Sequence, residues 1–189
     1  RVPYWLDGFI PLAYLLDNDG MKARAKKYID AIISAQKADG WICPCPDEKR
    51  GEYDTWAVQL ITKVLTVYYE CSKDERIPEV IYNVLKNYYD LLKNGTVKLF
   101  DWGKFRWFET FISIKFIYSR TKEDWLIELA RILKEQGIDY GKLTEQWKIP
   151  LNKWDLSTHT VNATMALKSD ALASELLKTE FTDKTDLLY

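Results

Sequence analysis

An excess of charge of either sign is missing from this sequence. Its 27 lysines and arginines nearly balance 28 aspartates and glutamates, for a net charge of −1 and a pI of about 6.0. No basic surplus is available to neutralise a phosphate backbone, so nucleic acid is set aside as a partner. Long apolar runs are missing too. No stretch reaches the ~20 residues that cross a bilayer, so no membrane span is expected. Cysteine is scarce and odd in number: Cys43, Cys45 and Cys71. An odd count argues against a full disulfide framework. Cys43-Pro44-Cys45 has one intervening residue, a poor match to zinc-ribbon spacing, and no second pair follows. The cysteines therefore read as free or partly buried thiols, and no metal site is assigned. Sustained period-2 alternation with hairpin turns is also absent, which argues against a sheet. Histidine is scarcest of all, with His159 alone, at the head of "HTVNATMALK".

What the chain does have is aromatic side chains, 14% in all, with 8 tryptophans and 12 tyrosines. In a core they are bulk; in a cleft their flat faces stack on sugars or other apolar ligands. Helical periodicity runs throughout. "YWLDGFIPLAYLLD", "YDTWAVQLITKVLTVYYE", "GKFRWFETFISIKFIYS" and "THTVNATMALKSDALASELL" are apolar on most faces. Pro11 is expected to bend the first. Between them, "MKARAKKYIDAIISAQK", "IPEVIYNVLKNYYDLLK" and "KEDWLIELARILKEQG" are amphipathic, and "TDKTDLLY" looks like the start of another helix. Aligning the heads of the apolar helices exposes a repeat. Trp5, Trp56, Trp107 and His159 are spaced by 51, 51 and 52 residues.

A helix that is apolar all round must be covered on most sides, whereas an amphipathic one needs a single covered face. Alternation therefore predicts two layers, apolar helices inside and amphipathic ones outside. The whole chain, residues 1–189, is expected to be one all-α domain. Two closures satisfy the pattern: an open α-solenoid or an α/α toroid. A six-hairpin toroid at this period needs about 300 residues. This chain supplies about 3.7 periods and is expected to be part of a larger (α/α)6 barrel.

In such a ring the loops entering the inner helices gather on one rim, where unpaired backbone N–H groups can also bind ligand oxygens. The helix heads there present Tyr4, Trp5, Asp7, Tyr53, Asp54, Trp56, Arg106, Trp107, Glu109, His159 and Asn162. Rings suit stacking, and carboxylates suit hydroxyl recognition and proton transfer. Glu109 and Asp54 are the candidate catalytic carboxylates. Each has a plainer reading as well. Asp54 suits a helix cap, Ser157 or Thr158 could cap the fourth helix, and the tryptophans could be core wedges. Glu109 lies two residues past Trp107, about 200° around a helix, so the two cannot face one pore together. Trp41 and its Cys/Pro-rich neighbours form the longest loop, a candidate lid or a rigid connector.

The ordered set "YWLDGFIPLAYLL", "AQKADGW", "YDTWAVQLITKVLTVYYECSKDER", "RWFETFISIKFIYSRT" and "HTVNATMALKSDAL" resembles the β-L-arabinofuranosidase-like glycoside hydrolases, a large and mainly bacterial family. The resemblance implies an (α/α)6 barrel that hydrolyses L-arabinofuranosides or related plant-type sugars with retention. It implies a zinc-bound cysteine nucleophile and a glutamate acid/base in a part of the barrel that this chain does not supply. No cysteine here stands in a matching context, so the expectation is no cofactor in this chain and zinc only in a full-length protein. His159 matches a sugar-contacting histidine at an inner-helix head. The family tends to carry another at the second head, where this chain has "YDTWA". Carbohydrate is the implied partner, and exposed inner helices are expected to drive self-association of an isolated fragment. "QKADGW" is also similar to the turns of terpene-cyclase-type toroids, whose acidic DxDD signature is absent. The competing class is an open helical repeat that binds a protein or peptide.

Overall fold

The computed structural model describes residues 2–154 and 159–180. Within them the protein is all-helical, with ten α-helices, three 3-10 segments and no strand. Helices α1 (Val2–Leu15) and α2 (Asp19–Ser34) form the first hairpin, α3 (Trp56–Ser72) and α4 (Ile77–Lys93) the second. The third hairpin has a divided inner arm: α5 (Asp101–Arg106), a 3-10 turn Trp107–Glu109, then α6 (Thr110–Thr121), before outer α7 (Asp124–Gln136). A short α8 (Tyr140–Gln146) leads on to α9 (Thr160–Ala166) and α10 (Ser169–Leu177).

The two expected layers are present. Central α3 packs against α1 on one side and α6 on the other, with α10 continuing the row beside α6. Outside, α2 backs α1, α4 backs α3, and α7 backs α6 and α10. The amphipathic stripes explain the outer layer: α4 turns Val80, Ile81, Val84, Leu85, Tyr88 and Leu92 inward, while Lys86 and Asp90 pair at its surface. Each fully buried leucine or isoleucine contributes about 1.5–3 kcal/mol of transfer free energy.

The ends of the inner helices repeat as well. Asp17, Lys73, Lys122 and Lys178 follow α1, α3, α6 and α10, each with φ between 49° and 59°. A left-handed residue at that position turns the chain sharply out of a helix. In the hairpins α1–α2, α3–α4 and α6–α7 it lets the outer helix begin within a few residues. The return connections are long, and they carry the chain back to the opposite rim.

α1 is helical from Val2 to Leu15 with Pro11 inside it. Two expectations need correction. The apolar segment at 103–119 is not one helix, because the chain is rerouted at Arg106 (φ −115°, ψ 13°) to bury Trp107, Phe108 and Glu109. The segment at 158–177 likewise divides into α9 and α10. The proposed caps Ser157 and Thr158, and the helix start "TDKTDLLY", lie outside the described residues.

Candidate functional site

The return connections set the heads of the inner elements side by side, around a cleft of about 530 Å³. The α1 head contributes Tyr4 and Trp5, and the α3 head contributes Trp56. Trp102 and Arg106 come from α5, and His159 and Val161 from the start of α9. The rings form a chain of contacts: Tyr4 meets Trp56 at 5.9 Å between centroids, and Trp56 meets Trp102 at 6.0 Å. Trp5 stacks on Phe9 at 4.3 Å and keeps 38% of its surface exposed.

His159 is exposed and stands at the N-cap of α9, its Nδ1 accepting from the Val161 N–H at 3.2 Å. An accepting Nδ1 places the proton of the neutral ring on Nε2, which is then a donor. Arg106 is only 4% exposed. Its Nε donates to Asn162 Oδ1 at 2.6 Å, and its Nη1 lies 2.7 Å from Met165 Sδ. Asn162 is buried behind the cleft as a support for Arg106.

The remaining candidates sit elsewhere. Asp54 accepts from the backbone N–H of Trp56 at 3.0 Å, of Trp102 at 3.2 Å and of Gly103 at 2.8 Å. It thus caps α3 and, across the hairpin, the first turn of α5, whose own N-cap residue Phe100 supplies no side-chain bond. A Cβ on Gly103 would stand 2.9 Å from Asp54 Oδ1, so glycine is what admits the carboxylate. Glu109 is 1% exposed and held by Lys63 at 3.0 Å and Lys168 at 2.9 Å. Asp7 pairs with the other side of Lys63 at 3.0 Å. Burial pulls the Lys63 amine down, but the charges of Glu109 and Asp7 outweigh it and the pKa is raised. One charge from each inner element thus alternates in sign beneath the rim.

Trp107 is a core wedge whose Nε1 donates to Ile138 O at 3.1 Å. Tyr53 lies under the long connector, beside the Cys43 thiol, in a separate apolar pocket. Burial, foremost, raises the pKa of its phenol. Trp41 is not a lid. It is 2% exposed, donates from Nε1 to Cys43 O at 2.7 Å and lies under the Arg50 guanidinium. Arg50 in turn binds Asp39 and Asp47 at 2.5 Å, so this stretch is a braced connector.

Of the twelve residues singled out from sequence, Tyr4, Trp5, Trp56, Arg106 and His159 line the cleft. Trp102 and Val161 were missed. Trp102 is the second residue of α5, in "DWGKF", five residues ahead of the tryptophan that the 51-residue spacing selects. Among the described residues no three His, Cys, Asp or Glu side chains are grouped to hold a metal ion. No helix there is long and apolar enough to cross a membrane. Comparison with protein-family models, with curated proteins and with solved structures found no match.

Proposed function

We propose that this chain is the sugar-recognising part of a carbohydrate-active α/α barrel of the β-L-arabinofuranosidase-like kind, and that its four inner hairpin arms form an arc of that ring. One observation carries the reading: rings from successive inner-helix heads, with an arginine and a histidine, meet in a single cleft. A platform of flat apolar faces with a few fixed donors is what a sugar ring, apolar on its faces and hydroxylated at its edge, requires. Glycoside hydrolysis needs two carboxyl groups flanking the bond. Here Asp54 is committed to three backbone N–H groups and Glu109 to two lysines. The role assigned to the cleft residues is therefore binding, and on this reading zinc and nucleophile belong to other parts of a whole enzyme.

The test is a titration of arabinose-containing and other plant-type oligosaccharides, followed by tryptophan fluorescence. Trp56→Ala and His159→Ala are each expected to weaken binding about tenfold, that is by about 1.4 kcal/mol. Affinity unchanged in both variants would remove the sugar reading.

A second reading, an open helical repeat that docks a peptide or protein, is favoured by one feature. The flank of α1 and the residue after it leave Leu12, Leu15 and Leu16 exposed. On the barrel reading the same flank is where a further hairpin would pack, and where isolated chains would self-associate.

A further inference from the structure

The guanidinium of Arg106 is buried without a counter-charge among the described residues. Its two contacts, Asn162 Oδ1 and Met165 Sδ, are both neutral, and it makes no ion pair among the described residues. The contrast is with Arg50, similarly buried, which has Asp39 and Asp47 both at 2.5 Å. Of the candidate carboxylates, Asp54 is committed to backbone N–H groups and Glu109 to lysines. Taking a charge out of water without a partner is costly, and the end of short α5 offsets only part of that cost. Guanidinium has five N–H donors. Nη2 makes no hydrogen bond to the described residues, yet it is not among the buried unbonded atoms, and the side chain lines the cleft. Its free edge therefore faces the space that a ligand would fill.

We propose, resting on the reading of the cleft as a sugar site, that the ligand is an acidic sugar. A uronic acid residue would set its carboxylate against the free edge of Arg106 while its ring lies among Trp5, Trp56 and Trp102. The planar fork of arginine suits a carboxylate, and a charge-assisted bond is about twice as strong as a neutral one. His159 caps α9, the helix whose Asn162 holds Arg106, and its Nε2 adds a donor to the same cleft.

The experiment is calorimetric titration of the 189-residue chain with digalacturonate, with its methyl ester and with the neutral digalactoside of the same linkage. The acid is expected to bind at least about tenfold more tightly than either neutral sugar, with the preference shrinking as salt is added. Arg106→Gln is expected to erase that preference, bringing acid and ester to equal affinity. If that variant does not fold, the comparison of acid with ester on the unaltered chain decides alone. Equal affinity for acid and ester overturns the acidic ligand and leaves the sugar site standing. Binding of none of the three overturns both.

Discussion

At the scale of single residues, burial decides which polar groups are free to act. Glu109 and Asp54 are the carboxylates that a search for proton donors selects, and the fold gives both of them structural work. Glu109 lies beneath the rim with two lysines on it, one of them largely buried. Breaking such a pair strands a charge. Glu109→Gln is expected to cost about 3 kcal/mol in urea unfolding. A catalytic Glu109 would instead leave stability level and remove turnover. Part of this was readable beforehand, since two residues along a helix cannot share a face. The partners were not, because Lys63 and Lys168 lie 46 and 59 residues from Glu109 in sequence. Trp41 makes the same point. Its place in a Cys/Pro-rich loop suggests exposure, but Arg50 and the Cys43 carbonyl hold it in the core.

At the scale of elements, hydrophobic period fixed the kind of structure, and close approach fixed where each element stops. The outer helices follow their stripes almost residue for residue. The inner arm of the third hairpin does not, because Trp107 must reach the end of α7. A Cβ on Gly137 would lie 2.1 Å from the Trp107 ring, although the backbone there (φ −75°) would accept any residue. Gly137→Ala is therefore a test of packing alone. It is expected to lower stability by about 1–3 kcal/mol in chemical denaturation, with near-ultraviolet dichroism changed by the displaced indole. A stability within error of the parent would show that Trp107 does not fill this place. Gly137 is the C-cap of α7; that it also receives an indole could not be read from the sequence.

At the scale of the whole molecule, buried titratable groups set an alkaline limit. Burial pushes the Cys43 thiol up to about 12, from an ordinary 9.0, with a hydrogen bond from Tyr53 opposing. Burial likewise lifts Tyr68 and Tyr140 to about 12 from an ordinary 10.0. Each holds its proton more tightly folded than unfolded. Their contribution is thus complete below the unfolded values and is lost as the pH rises towards about 12. The melting temperature is expected to hold to about pH 9 and fall steadily above it, less steeply in Cys43→Ala. A level profile through pH 11 would contradict the burial of these groups. The sequence by itself determined an all-helical chain, two kinds of helix and a repeat of about fifty residues, because periodicity and apolar content are local properties. Tertiary structure alone decided that Arg106, held by Asn162, lines a cleft, that Asp54 caps two helices, and that Trp102 joins Trp56. Each depends on distances between hairpins, and those are set only when the layers close on one another.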